Sequence, residues 1–365
     1  MMKMHLKKLT GILASQIIHI KEINRKLTKM SHFKWVSIIV IILVGLFFSL
    51  SCNSCQSKKQ PISKVEYNKI SPDFNSDSAY NFVASQVEFG SRVPGTKAHV
   101  ECGDYLVSKL EEFGASVIEQ KAVVTHYDGN KLEIRNIIGV YNPDAQKRIL
   151  LFAHWDSRPF SDEETDPNNR NLPVDGADDG ASGVGVLLEI ARQLNTTPVD
   201  LGIDVIFFDL EDWGQPSFSN KWIDGDWWCV GSTYWSKNPH IKNYKAQYGI
   251  LLDMVGGANA TFMKEGYSLQ YASNVVDKIW STALKLGYGN YFVPNRGGFI
   301  TDDHLPVNQY NRAPSANIIN LKTNTNTGFA PYWHTQKDDM RNIDKNTLKA
   351  VGQTVLEVIY NDNKN

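Results

Sequence analysis

Residues 203–212 read IDVIFFDLED, an apolar and largely β-branched run that ends in acidic side chains. Apolar runs without strict alternation are typical of strands that are covered on both faces of a sheet. In open α/β sheets, ligands bind at the carboxyl ends of such strands. This stretch therefore predicts a buried strand that delivers Asp209, Glu211 and Asp212 to a functional site.

Four more runs of the same kind lie along the chain, and the segments between them have apolar residues at helical spacing. The further strands are predicted at Ile134–Val140, Ile149–Ala153, Gly249–Leu252 and Ala316–Leu321. Helices are predicted at Gly180–Leu194, Tyr271–Leu286 and Asp344–Tyr360, after two earlier ones around residues 80–87 and 105–113. Strands that alternate with helices predict an α/β fold with a mixed, largely parallel central sheet and helices on both faces.

The composition excludes several classes of protein. The chain has 365 residues, of which 42% are hydrophobic and 21% are charged, so neither a disordered chain nor a multi-span membrane protein is expected. Residues 1–51 contain eight basic residues and one acid, which leaves 30 basic and 38 acidic residues in the remainder, a net charge of −8. Such an acidic body is not expected to bind nucleic acid.

The N-terminal part has the pattern of an export signal. Val36–Leu50 is apolar for 15 residues and follows Lys34, which is short for a spanning helix of ~20 residues but typical of a secretory signal that starts at Met30. The following Ser51-Cys52 resembles a bacterial lipoprotein cleavage site with an acylated cysteine; Cys55 is the second choice and an uncleaved anchor the alternative. We expect export to the periplasm or cell envelope.

These features divide the chain into three parts. Residues 1–51 form the extension and signal, 52–70 a polar tether, and 71–365 one catalytic domain, for which a monomer is expected. Two cysteines, Cys102 and Cys229, remain in that domain. We interpret them as buried small apolar residues, with a disulfide as the alternative.

Histidines and carboxylates collect after the predicted strands. They are His154, Asp179, Glu211, Asp212, Asp253, Asp302, Asp303, His304 and His334. Oxygen and nitrogen donors of this kind are the ligands that zinc takes. Because adjacent side chains leave a strand end in different directions, one of Glu211 and Asp212 can bind metal while the other acts as a base. Metal-assisted chemistry on a carbonyl group is the resulting hypothesis.

Five segments resemble the zinc-dependent aminopeptidase superfamily, and within it the glutaminyl-peptide cyclotransferase branch. They occur in the family's order and are GSRVPGT at 90–96, HWDS at 154–157, FFDLED at 207–212, DDHLP at 302–306 and WHT at 333–335. The resemblance implies a zinc aminopeptidase-like α/β sandwich. It also implies closure of the N-terminal glutaminyl residue of a peptide or protein to pyroglutamate, with release of ammonia.

The resemblance also implies roles for individual residues. One catalytic zinc falls on Asp179, Asp212 and His334, and the general acid/base falls on Glu211. By the same correspondence, Asp253 and Asp302 form the hydrogen-bonded acid network, while Trp333 and Phe329 wall the substrate pocket.

The chain departs from the animal members of this branch at three places. Asp212 stands where they have glutamate, and Asn320 is near where they have histidine. The tryptophan that they carry shortly after the acidic pair is not at that spacing. Trp213, Trp222, Trp227 and Trp228 are the candidates to close the pocket, and a hydrophobic loop that packs on the body is the alternative.

Two alternatives remain open. A dinuclear zinc aminopeptidase would add His154 and Asp253 as ligands of a second metal, and Glu211 would activate a water molecule. A binding protein on an inactive peptidase-like scaffold is disfavoured, because every expected ligand and the base are present.

Overall fold

The computed structural model describes residues 67–221, 223–225 and 227–364, together with residues 21, 22, 24 and 25. The chain divides into two units, Met1–Glu66 and Tyr67–Asn365. The predicted signal, the acylation site at Cys52 or Cys55, most of the tether and Trp222 lie outside the described residues. No helix in the described part of the chain is both long and apolar enough to cross a membrane.

A six-stranded sheet runs through the second unit. Its strands in spatial order are β1 (Ser116–Thr125), β2 (Lys131–Tyr141), β4 (Gly202–Phe208), β3 (Arg148–His154), β5 (Tyr248–Asp253) and β8 (Ser315–Ile319). The four strands from β4 to β8 are parallel, whereas β1 and β2 add an antiparallel edge. A separate parallel pair is formed by β6 (Phe262–Lys264) and β7 (Phe292–Arg296).

Helices cover both faces of the sheet. They are α1 (Ser76–Glu88), α2 (Lys97–Glu112), α3 (Ala181–Thr196), α4 (Val230–Lys237), α5 (Gly266–Lys285), α6 (His304–Gln309) and α7 (Lys345–Asn363). Successive side chains of a strand point to opposite faces, and so Leu151 packs in the larger core with α3 and α7, while Leu150 and Phe152 pack with Trp235 of α4 and Val307 of α6. The predicted fold class is confirmed.

The predicted strands and helices are all present, with shifted ends. Helix α5 begins five residues before its predicted start, because the carboxylate of Glu265 caps it by accepting hydrogen bonds from the backbone N–H groups of Tyr267 and Ser268. Strand β8 ends at Ile319 rather than at Leu321. Strand β1 was not predicted: it is an edge strand whose residues are exposed or half-buried, so the apolar run that marks a buried strand is missing.

Candidate active site

A pocket of about 160 Å³ opens where β3, β4 and β5 end. Eight residues that the sequence predicts for the site line it: Asp179, Glu211, Asp212, Asp253, Asp302, Phe329, Trp333 and His334. Trp228, Met254, Ile300, Thr301 and Ile319 complete the lining. The chain therefore brings together residues that lie more than 150 positions apart, as expected for the carboxyl edge of a parallel sheet.

Three of these side chains form a set of metal donors. One ligand atom each from Asp179, Asp212 and His334 lies within 4.8 Å of the others. Nε2 of His334 is 3.2 Å from Oδ1 of Asp212 and 3.6 Å from Oδ2 of Asp179. Both carboxylate oxygens of Asp212 are buried and find no hydrogen-bond partner among the residues that the structure describes, although buried polar atoms are normally paired. Two carboxylates and one imidazole are a ligand set that zinc takes, and a bound zinc would pair the buried oxygens of Asp212.

Residues outside the pocket orient this set. The Asp162 carboxylate is 3.2 Å from Nδ1 of His334 and accepts two hydrogen bonds from Arg158. The Asp156 carboxylate accepts the backbone N–H groups of Glu211 and Asp212, both at 3.1 Å. Hydrogen-bond partners behind the metal ligands fix the orientation of these side chains and, for a histidine, the tautomer.

Asp338 has the same relation to the other carboxylate ligand. Its two oxygens accept the backbone N–H groups of Asp178 at 2.8 Å and Asp179 at 3.0 Å.

Neither Asp162 nor Asp156 was singled out for a role in the sequence, because an aspartate that holds a neighbouring loop has no spacing signature of its own. Their function is visible only once the loops are placed side by side.

Backbone strain collects around the pocket. Leu210, which follows β4, has φ of 53°, Met254, which follows β5, has 48°, and the ligand His334 has 53°. A left-handed backbone at residues other than glycine costs energy and is found mainly where the surrounding structure enforces it, often at functional sites. These turns redirect the chain immediately beside Glu211, Asp253 and the zinc-ligand set.

The acids in the pocket raise one another's pKa values. Burial raises the pKa of Glu211 well above its ordinary value, and the charges of Asp302 and Asp303 add to this against the opposing effect of His154. Burial and the charge of Asp253 raise the pKa of Asp302 to about 7. Carboxyl groups with raised pKa values are suited to proton transfer near neutral pH.

His154 lies beside the metal donors rather than in the pocket lining. Its Nε2 is 3.0 Å from Oδ1 of Asp179 and 3.3 Å from Oδ1 of Asp253, to which it is hydrogen-bonded. These three residues also form a possible metal-binding group, so the geometry accommodates the second-metal alternative.

Aromatic rings wall the pocket. Trp333 stacks on the imidazole of His334 with ring centroids 3.6 Å apart and packs against Phe329 at 4.6 Å. Of the candidate tryptophans that the structure describes, Trp228 lines the pocket, parallel to the His334 ring at 6.1 Å. Trp213 and Trp227 instead pack around His126.

Two other predicted residues have different surroundings. His304 pairs with Glu265 through Nε2 at 2.9 Å and does not line the pocket. Oδ1 of Asn320 accepts a hydrogen bond from the backbone N–H of Thr261. Both therefore support neighbouring segments.

In the part of the chain that the structure describes, Cys102 and Cys229 are buried and form no disulfide, so the alternative of a bond between them is wrong. Cys102 is a buried apolar residue, as expected. Cys229 is more than that, because its thiol donates a hydrogen bond to Oε1 of Glu211 at 3.1 Å. Nothing in the sequence near Cys229 indicated this contact.

Comparison with known proteins gives one family. The profile of peptidase family M28 matches residues 136–359. A Zn-dependent exopeptidase from Parabacteroides distasonis is 60% identical in sequence, with a TM-score of 0.79 over 80% of this chain and 100% of that chain. Tannerella forsythia glutaminyl cyclase is 56% identical, with a TM-score of 0.78 over 80% of this chain and 99% of that chain.

A more distant curated relative is aminopeptidase YwaD of Bacillus subtilis. It is 27% identical over 77% of this chain, and the match spans 55% of that protein. The chain thus spans little more than half the length of this relative.

Proposed function

The chain belongs to peptidase family M28, and we propose that it is a zinc-dependent glutaminyl-peptide cyclotransferase. It converts N-terminal glutaminyl residues of peptides and proteins to pyroglutamate and releases ammonia. The similarity to the Tannerella forsythia glutaminyl cyclase supports this activity over the hydrolysis carried out by aminopeptidases of the same family.

The observation that carries the proposal is the pairing of a small aromatic pocket with a cluster of acids. Trp228, Phe329 and Trp333 surround a space of about 160 Å³, and Glu211 and Asp302 face each other beside it, with ligand-type atoms within 4.8 Å. A narrow pocket folds the glutamine side chain back towards its own α-amine, which is the proximity that a ring closure requires.

The chain's own residues account for the proton transfers. Asp179, Asp212 and His334 would hold the zinc, which would supply a Lewis acid for the γ-carbonyl group. Glu211 takes a proton from the α-amine as its nitrogen attacks the γ-carbonyl carbon. The new C–N bond closes the ring, the bond to the side-chain amide nitrogen breaks, and Glu211 gives the proton to that nitrogen, which leaves as ammonia.

Asp253 and Asp302 complete the acid network around Glu211. Burial raises the pKa of Asp253 to about 6 in spite of its hydrogen bond with His154. Asn317 donates a hydrogen bond from Nδ2 to the Asp302 carboxyl at 2.6 Å. These contacts hold two further acids in place, one of them beside the base.

We assign one zinc to each chain. Among the described residues the oxygens of Asp212 have no hydrogen-bond partner, so this position calls for a cation. Nε2 of His154 already has a partner in Asp253. That difference favours a single metal over the dinuclear peptidase site.

Two measurements on the zinc-loaded protein test the proposal. We expect ammonia release from a glutamine-initiated dipeptide and no hydrolysis of a leucine anilide. Metal analysis should give one zinc per chain, which His334→Ala abolishes and His154→Ala retains. Anilide hydrolysis without ammonia release, together with two metals of which His154→Ala removes one, would assign the chain to the dinuclear aminopeptidases.

We further propose that the protein is exported and held in the cell envelope by a lipid on Cys52. The apolar run Val36–Leu50 and the Ser51-Cys52 sequence that follows it support this. Labelling with a radioactive fatty acid should be lost in Cys52→Ala and kept in the matched variant Cys55→Ala. The reverse result would move the anchor to Cys55.

A further inference from the structure

Cys229 lies directly beside the carboxyl group of Glu211. Its thiol donates a hydrogen bond to Oε1 at 3.1 Å, and the residue is 2% exposed. Within residues 67–364, as far as the structure describes them, no other side chain donates to this carboxyl. Among these residues, the side-chain hydrogen bond to the proposed base therefore comes from one thiol.

The backbone fixes this contact as well. The N–H of Cys229 donates to the carbonyl of Glu211 at 3.0 Å, and the N–H of Val230 donates to the carbonyl of Leu210 at 2.9 Å. Cys229 has φ of 54° and Leu210 has φ of 53°. Glycine is the low-cost residue in this conformation, so a cysteine there indicates that its side chain is used.

The thiol leaves the second carboxyl oxygen of Glu211 for the substrate. A carboxylate has two oxygens, and a donor on Oε1 leaves Oε2 to take the proton of the α-amine. Burial raises the pKa of the Cys229 thiol well above its usual value, so the thiol keeps its proton and acts as a donor. Charged groups around the carboxyl include His154, Asp212, Asp302 and Asp303, and in the described structure none of these four is hydrogen-bonded to it.

We propose that Cys229 is a positioning residue for the reaction, which orients Glu211 by hydrogen-bonding one of its carboxyl oxygens. This inference rests on the proposed function, because that function defines the reaction. The hydrogen bond between Cys229 and Glu211 is observed independently of the proposed function. Cys102 provides a matched control, because it is equally buried, at 0% exposed, and lies on helix α2 away from the pocket lining.

A kinetic comparison in the full-length, zinc-loaded protein tests the role. For Cys229→Ala we expect kcat to fall about tenfold with KM nearly unchanged, since one weak hydrogen bond to the base is lost while the pocket walls remain. Cys229→Ser restores a donor and should keep kcat within about threefold of wild type, because a hydroxyl donates in the same geometry. Cys102→Ala should leave kcat unchanged. A wild-type kcat in Cys229→Ala, or equal losses in the alanine and serine variants, would overturn the proposal.

An infrared measurement tests the contact without turnover. The difference spectrum of wild type and Cys229→Ala isolates the S–H stretching band of this thiol. We expect Glu211→Gln to move the band, because the acceptor of the thiol's hydrogen bond changes from a carboxyl group to an amide. Glu163→Gln, which alters an exposed acid, should leave it in place.

If the S–H stretching band of Cys229 kept its frequency in Glu211→Gln, the hydrogen bond would be refuted, whichever reaction the enzyme catalyses. If wild type releases no ammonia, the proposed function fails by itself. The infrared result then still decides the Glu211 contact, and the kinetic comparison is made on the leucine anilide.

Discussion

Oδ1 of Asp162 lies 3.2 Å from Nδ1 of His334, on the side of the imidazole away from the metal donors. The other ring nitrogen, Nε2, faces Asp179 and Asp212. Arg158 donates two hydrogen bonds to the same Asp162 carboxylate. Burial opposes ionisation of Asp162, but His334 and Arg158 outweigh it and hold the pKa of this acid below its ordinary range. The ionised Asp162 thus fixes Nδ1 as the protonated nitrogen and leaves Nε2 for zinc.

Replacement of Asp162 should weaken zinc binding. We expect Asp162→Asn to lower the zinc affinity by about 10- to 100-fold, because the imidazole loses the partner that sets its tautomer and direction. Competition with a chelator measures the affinity. The exposed acid Asp144 provides the control, since Asp144→Asn should have the affinity of wild type. Unchanged affinity in Asp162→Asn would contradict this role.

Replacement of Glu211 should separate proton transfer from metal binding. Glu211→Gln keeps the shape of the side chain and does not alter the three zinc ligands, so zinc content and thermal stability should stay close to wild type. We expect ammonia release to fall by a factor of about 10² to 10⁴, the usual contribution of a positioned general base. A variant that turns over at near the wild-type rate would show that another residue moves the proton.

The two neighbouring tryptophans should differ in their effect on substrate binding. Trp228 lines the pocket, whereas Trp227 packs on His126 and Tyr127. We expect Trp228→Ala to raise KM by about tenfold or more, because an aromatic wall of the substrate pocket is lost. Trp227→Ala should change KM by less than about twofold. If Trp227→Ala had the larger effect, the pocket would be closed by Trp227 rather than by Trp228.

Glu265 should make stability depend on pH in the acid range. Its carboxylate caps helix α5 and also accepts hydrogen bonds from the backbone N–H of Ile300 and from His304. Burial opposes its ionisation, but the hydrogen bonds and charge of His304, with the backbone donors, lower the pKa of Glu265 from 4.5 to about 2. The folded state therefore keeps this group ionised at a pH where the unfolded chain binds a proton.

The sign of the effect follows from the lowered pKa. The stabilisation by Glu265 is complete above pH 4.5 and is lost as the pH falls towards about 2. We expect Glu265→Gln to lower the free energy of unfolding by up to about 3 kcal/mol at pH 7, with the difference from wild type shrinking towards pH 2. Urea unfolding with a chelator present measures this, and the exposed Glu133→Gln is the control. A difference that did not depend on pH would contradict the ionised cap.

The sequence contains most of the fold and the composition of the site. Ile203–Phe208 was predicted as a buried strand because its apolar side chains can pack on both faces of the sheet. This segment lies in β4, and every residue of that strand is buried. Of the acids that follow it, Glu211 and Asp212 line the pocket, as predicted from parallel strands that end at one edge. Asp209 instead pairs with His99 and does not line the pocket. These are local patterns of side-chain type, and a chain of such residues has few other ways to bury them.

The tertiary structure decided which residues support the site. Asp162 and His334 are 172 positions apart, and Cys229 reaches Glu211 through a segment that turns back between them. The choice of Trp228 over Trp213 also depends on the path of that segment. Contacts between distant positions are set by the packing of whole loops on the sheet. The residue type alone does not show which thiol or carboxylate contacts the site. The sequence alone therefore predicted the buried strands of the central sheet, the longer helices and the proposed metal donors. Only the folded chain determined the edge strand β1 and how those donors and the base are held.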